Sequence, residues 1–127
     1  MQDYHQLDVW NRAMDYAVAI YEFSARLPAD ERFNLVAQIR KAAISVPLNI
    51  AEGSGCATNR EFARFVGYAY RSLKEVVTCL ELSERLRVAP SSSVAGLLDE
   101  GNQISRMTYM FLQRLGGSQW AEPENQD

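Results

Sequence analysis

The chain has 127 residues, 47% of them hydrophobic and 23% charged, and its 13 basic and 16 acidic side chains give a net charge of −3. That length fits one domain around one continuous core, and the charge argues against a protein that coats nucleic acid indiscriminately. No apolar run approaches the roughly 18 residues a membrane-spanning helix needs, and the opening MQDYHQLDVWNRAMDY is too polar and acidic for a signal peptide, so a cytoplasmic protein with no membrane association is expected.

Three of the four prolines (Pro28, Pro47, Pro90, Pro123) fall between segments whose apolar residues recur at helical spacing, and four helices are implied. The first is expected from about Leu7 to Leu27, with Trp10, Met14, Ala17, Ile20 and Leu27 on its buried side. Leu27-Pro28-Ala29-Asp30 ends it, and Asp30 is the expected N-cap of the next. The second helix carries Val36, Ile39, Ala43, Val46 and Ile50 at steps of three and four. It stops at Glu52-Gly53-Ser54-Gly55, where two glycines in three residues break the helix.

Helix three opens on Thr58-Asn59-Arg60-Glu61, a capping box in which the threonine hydroxyl accepts from the Glu61 amide and the Glu61 carboxylate reaches back to the Thr58 amide. Phe62, Val66, Ala69, Leu73, Val76 and Leu80 then alternate steps of four and three, the seam of a helix packed at a shallow angle. It ends near Arg87, ahead of Ala89-Pro90. Ser91 to Ser93 are expected to cap a fourth helix, with Leu97, Ile104, Met107, Phe111 and Leu115 inward and Gly116-Gly117 as its stop. Residues 1–118 thus read as one domain, and 119–127 as a loose polar tail. Helices of about 20 residues joined by connections of about 3 to 6 pack as an all-α, antiparallel up-down-up-down four-helix bundle. No strand pattern competes.

The catalytic repertoire is thin. The inward Glu residues and Glu-x-x-His pairs of a di-metal bundle are absent, since the one histidine, His5, precedes the first helix and reads as solvated. Cys56 and Cys79 share no metal-ligand spacing and read as reduced thiols, Cys79 as a small apolar side chain beside the helix-three seam and Cys56 in the Gly-rich turn. Gly53-Ser54-Gly55 follows a helix and lacks the lysine of a P-loop. No catalytic residue, metal ligand or cofactor site is assigned, and the chain reads as a non-enzyme.

One constellation stands out when helix three is wound at 100° per residue. With Ala69 at zero the seam lies within about 60°, whereas Arg60, Arg64, Arg71 and Lys74 fall between about 140° and 220°, sharing an outer stripe with Gly67 and Thr78. With Arg40 and Lys41 the window 40–74 holds six cations against two acids, a net of +4, which leaves −7 for the rest. Three readings stay open: a solvated face with scattered ion pairs such as Arg71 with Glu75, a subunit interface meeting the acidic helix one or four of a neighbour, or contact with a phosphate backbone. A second stripe on helix two, Lys41, Ser45, Asn49 and Glu52, points away from Val36, Ile39, Ala43 and Ile50, while Pro47 removes the amide that would bond to Ala43. It reads either as a solvated last turn or as a polar contact surface. Because Glu122, Glu124 and Asp127 lie in the tail, residues 1–121 are neutral, and the average conceals one basic face.

The run from Gln38 to Gly53, QIRKAAISVPLNIAEG, resembles the signature of the four-helix bundle proteins named after the 23S ribosomal RNA intervening sequence. Glu61-Phe62-Ala63-Arg64-Phe65 and Ser72-Leu73-Lys74-Glu75 resemble that family's second motif, and the likeness extends from about Leu7 to Leu115. By this resemblance Arg40, Ser45, Asn49, Glu52 and Gly53 occupy the first motif, and Glu61, Phe62, Ser72 and Glu75 the second. It implies a small cytosolic bundle that forms ring-shaped homopentamers, with a related basic branch that associates with a reverse transcriptase and nucleic acid. The chain departs from the family pattern at Gly55-Cys56-Ala57, where an arginine is expected, and at Arg71-Ser72, where Gly-Ser is usual. The first departure removes a cation and the second adds one to the outer stripe. The expected function is that of a homo-oligomeric scaffold or binding protein, pentamer favoured. The alternative is an RNA or ribonucleoprotein-binding module using Arg60, Arg64, Arg71 and Lys74, with Arg40 and Lys41 beside them.

Overall fold

Four helices carry the chain: α1 (Asp8–Ser24), α2 (Ala37–Ser54), α3 (Asn59–Arg85) and α4 (Ser91–Arg114). The computed structural model describes residues 3–116, so Gly117 and the tail expected at 119–127 lie outside the described residues. Cross-contacts fix the helix directions. Gln38 bonds Glu75, Ser45 meets Ser72 and Gly53 touches Phe62; Phe62 packs on Phe111, Tyr70 faces Tyr109 and Val77 lies against Gly101. Arg12 holds Glu100 and Tyr16 reaches Leu97. As one partner's number rises the other's falls, so α2/α3, α3/α4 and α1/α4 each run antiparallel, and the helices close into the expected up-down-up-down bundle.

The core centres on Ile20, Ile39, Ile50, Leu73, Leu80, Ile104 and Leu112, all sealed from solvent. All six seam residues of α3 are buried, as their four-three spacing required. In α1 the buried stripe is Val9, Ala13, Tyr16, Ile20 and Phe23, which turns Met14 outward, contrary to the expectation. The helix is also shorter than Leu7 to Leu27, with Asp8 in its first turn favouring the N-terminal dipole.

The first connection is built otherwise than expected. Pro28 leads into a 3₁₀ turn over Ala29–Glu31 and then a π turn over Arg32–Val36, so Asp30 sits inside a turn and caps nothing. α2 runs through Pro47 and beyond Gly53, ending at Ser54. The helix thus ends within the expected Glu52-Gly53-Ser54-Gly55 stop, with Gly55 at its C-cap and Gly53 still helical. A β-carbon there would lie 2.7 Å from the Phe62 ring and 2.9 Å from the Phe65 Cβ, so the glycine allows α3 to approach.

At the start of α3, Thr58 Oγ1 accepts from the Glu61 amide at 3.1 Å. The Glu61 carboxylate takes the Thr58 hydroxyl at 3.2 Å instead of the Thr58 amide, so half of the capping box is as expected. α3 ends in a Schellman motif, with the Arg87 amide on the Glu84 carbonyl and the Val88 amide on the Ser83 carbonyl. Arg87, at φ 61°, occupies the left-handed position that glycine usually fills. The three serines do not cap α4. Pro90 holds the N-cap position, Ser91 donates to Glu84, and Ser93 turns back to the Pro90 carbonyl. Gly116, at φ 77°, closes α4 as expected.

Candidate functional site

The two sequence motifs form one packed unit, the α2/α3 hairpin. Its rungs are Gln38 Nε2 donating to Glu75 at 2.9 Å, the meeting Ser45 and Ser72 hydroxyls, and Gly53 under Phe62 and Phe65. Ser72 is buried and Ser45 and Asn49 are half-buried, so the helix-two stripe does not point wholly to solvent. Ser45 also donates to the Ala42 carbonyl, and the Asn49 amide donates to the Ser45 carbonyl at 2.7 Å. Only Lys41 and Glu52 of that stripe are exposed. Ser45, Ser72 and Glu75 thus hold α2 and α3 together, whereas Asn49 bonds within α2 and Glu61 at the start of α3. The spacing of four places Ser45 and Asn49 on one side of α2, but a neighbouring helix covers that side.

On α3, Arg60, Arg64, Arg71, Lys74 and Thr78 are exposed along one face, as the helical projection requires. Gly67, projected onto the same face, is buried instead. Lys74 lies over the Tyr70 ring with its amine 5.0 Å from the centroid, and the Arg64 guanidinium stands 5.6 Å from the centroid of Phe65. Arg40 does not join this face. It is half-buried between α1 and α2, donating to Ser24 Oγ at 2.6 Å and the Tyr21 carbonyl at 3.3 Å, with its guanidinium 4.5 Å from the Tyr21 ring centroid.

That clamp sets the register of α1 against α2 and exposes a surface that helical periodicity missed. With Arg40 level with Tyr21 and Ser24, antiparallel helices of equal rise place Val18 level with Ile44, and Met14 level with Leu48. These residues form an apolar strip along the outer α1/α2 groove, with Val18 60% and Leu48 56% exposed. Asp15 and Glu22 border it. The signal was present in α1, where Met14, Val18 and Tyr21 repeat at steps of four and three beside a separate buried stripe.

Polar clasps bridge α1 and α4 at mid-length. Arg12 grips Glu100 with two hydrogen bonds of 2.6 and 3.1 Å and donates to Gln103 at 3.0 Å, and the Glu100 carboxylate raises the Arg12 pKa. Tyr16 donates to the Leu97 carbonyl at 2.8 Å, and burial pushes its phenol pKa well up.

His5 is exposed yet has a partner, Asp3, whose carboxylate accepts from the ring Nδ1 at 2.8 Å and is thereby held below the usual carboxylate range. Cys79 is buried with its thiol pKa raised by desolvation, while Cys56 is half-buried with Sγ 3.7 Å from the Glu52 carbonyl. Among the described residues no three acidic, histidine or cysteine side chains cluster to hold a metal, and no helix is long and apolar enough to cross a membrane.

The fold is similar to that of a crystal structure of a protein of unknown function from the S23 ribosomal protein family of Bacteroides thetaiotaomicron. That likeness has a TM-score of 0.77 at 19% identity and covers 82% of this chain and 97% of the other. No curated protein matches the sequence. The model of the 23S rRNA-intervening sequence protein family matches residues 5–110, a span that holds both motifs and all but the end of α4, and the chain belongs to that family.

Proposed function

We propose that this is a cytoplasmic, non-enzymatic scaffold or binding protein that works as a homo-oligomer, a ring for which five copies is the favoured number. The observation that carries this reading is the exposed strip of Met14, Val18, Tyr21, Ile44 and Leu48. Side chains of this size are normally covered, and a contiguous patch of them is what a protein contact buries. In a closed ring of more than two copies each contact joins two different faces. Asp15 and Glu22, flanking the strip, match in charge the Arg60, Arg64 and Arg71 face of α3, so an α1/α2 face against a neighbour's α3 face pairs apolar area with opposite charge.

Light scattering with mass determination on the wild type and on Val18→Glu and Leu48→Glu tests the reading. The wild type is expected to run as one multimer in low and high salt, and both variants as folded monomers by circular dichroism. A monomeric wild type would sink the proposal. The exposed cations of α3 favour a second reading, an RNA or ribonucleoprotein-binding module. In that case Arg60→Glu with Arg64→Glu abolishes salt-sensitive RNA binding while the mass of the assembly is unchanged.

A further inference from the structure

On the opposite side of the bundle, the groove between α3 and α4 opens into a cleft of about 380 Å3 lined by Tyr70, Lys74, Asn102, Ser105, Arg106 and Met110. Two hydroxyls at this cleft have no hydrogen-bond partner although both oxygens are buried: Tyr70 Oη and Ser105 Oγ. Ser105 is only 4% exposed. A serine within a helix ordinarily donates to a carbonyl one turn back, as Ser83 does here to Cys79 at 2.8 Å, and a buried hydroxyl left unbonded is destabilising. Two such hydroxyls at one cleft mark a place where an acceptor is missing.

The surrounding charge identifies that acceptor. The charged side chains at the cleft are cationic, Lys74 and Arg106, and no carboxylate lines it. Lys74 lies over the Tyr70 ring, its amine 5.0 Å from the ring centroid. The Tyr70 and Tyr109 rings stand 6.2 Å apart between centroids, and with Met110 they supply an apolar wall. Cations and hydroxyl donors at one end with aromatic and thioether surface beside them suit an anionic head on a flat apolar body. We propose that the α3/α4 cleft binds a small organic anion, a carboxylate or phosphate monoester on an aromatic ring, with Tyr70 and Ser105 donating to its oxygens and Lys74 and Arg106 neutralising its charge. The site is separate from the apolar strip, and Lys74 is its one residue on the α3 face that the proposed ring contact uses.

Phenyl phosphate and benzoate are the probes, titrated by calorimetry into the full chain, with inorganic phosphate and phenol as controls lacking the ring or the charge. The expected result is saturable binding of at least one probe, the stronger of the two naming the head group, and binding of both controls weaker by about tenfold or more. The Tyr70→Phe/Ser105→Ala variant is expected to melt no lower than the wild type, because it deletes only unbonded hydroxyls, and to bind the probe about tenfold more weakly or worse. Lys74→Gln is expected to weaken binding in the same way. Failure of both probes to bind, equal affinity in wild type and variants, or a hydroxyl-deleted variant that changes the mass of the assembly in place of probe affinity would each overturn the proposal, the last by making the cleft a subunit contact.

Discussion

The hydroxyl of Tyr16 occupies the space that a side chain at position 101 would need: a β-carbon built on Gly101 falls 2.5 Å from the phenol oxygen and 3.1 Å from Val77. The glycine admits the phenol, and the phenol's hydrogen bond to Leu97 ties α1 to α4. Gly101→Ala should therefore cost about 1 to 3 kcal/mol, although alanine is the better helix former by about 1 kcal/mol. In a Tyr16→Phe background the cost should shrink by at least about 1 kcal/mol. Urea denaturation of the four proteins of the cycle measures this coupling, and strict additivity would show that the two residues do not compete for one space.

Gly53 and Gly55 stand two residues apart and should respond oppositely to alanine. At Gly53 the new methyl meets Phe62 and the Phe65 Cβ, and prying α2 from α3 should cost about 1 to 3 kcal/mol. At Gly55 the nearest atom is the Glu52 carbonyl at 3.5 Å and φ is −85°, so alanine should be neutral or stabilise by up to about 1 kcal/mol. Equal midpoints for the two variants in urea would contradict this account.

Arg87 holds a left-handed backbone conformation, which costs a residue with a β-carbon about 1 to 2 kcal/mol. Arg87→Gly should raise stability by about 1 kcal/mol, and Arg87→Val should lower it, because a β-branched side chain crowds this conformation most. A thermal melt checks both, and a lower Tm for the glycine variant would refute the Schellman assignment.

Burial raises the pKa of the Tyr16 phenol, with Glu100 adding to the shift, and burial likewise raises that of the Cys79 thiol, with Glu75 adding. The fold favours the protonated form of both, so their contribution is complete below the unfolded values, about 8.5 for cysteine and about 10 for tyrosine, and is lost as pH climbs above them. Urea midpoints measured from about pH 8 to about pH 11 should fall, less steeply in Tyr16→Phe. A slope unchanged by that substitution would exclude Tyr16 as the source.

Much of this architecture is legible in the sequence because α3 announces itself: Thr58 caps it, and its six seam residues leave one choice of buried side. α1 carries two apolar stripes on nearly opposite sides, Val9, Ala13, Tyr16, Ile20 and Phe23 on one and Met14, Val18 and Tyr21 on the other, and periodicity alone does not rank them. Of the residues expected inward, Ile20 and Leu27 are buried and Trp10 and Ala17 pack against the core, while Met14 alone belongs to the outer stripe, which the expected buried side does not reveal. Motif residues such as Ser45 and Gly53 were legible as a pattern but not as contacts, since only the arrival of α3 shows that one is half-covered and the other compressed. Arg12 and Glu100 lie far apart in the chain, with no local spacing to pair them.

The clasp between Arg12 and Glu100 also bears on how the chain is made. While the ribosome is still adding α4, neither Arg12 nor Tyr16 has its partner, and α1 has only α2 to lean on. The α2/α3 hairpin, whose contacts close short loops, is the part of the molecule that forms without waiting. Synthesis therefore presents a three-helix intermediate with one side of the core uncovered until the last helix is released, and α1, held until then by α2, gains its second neighbour last.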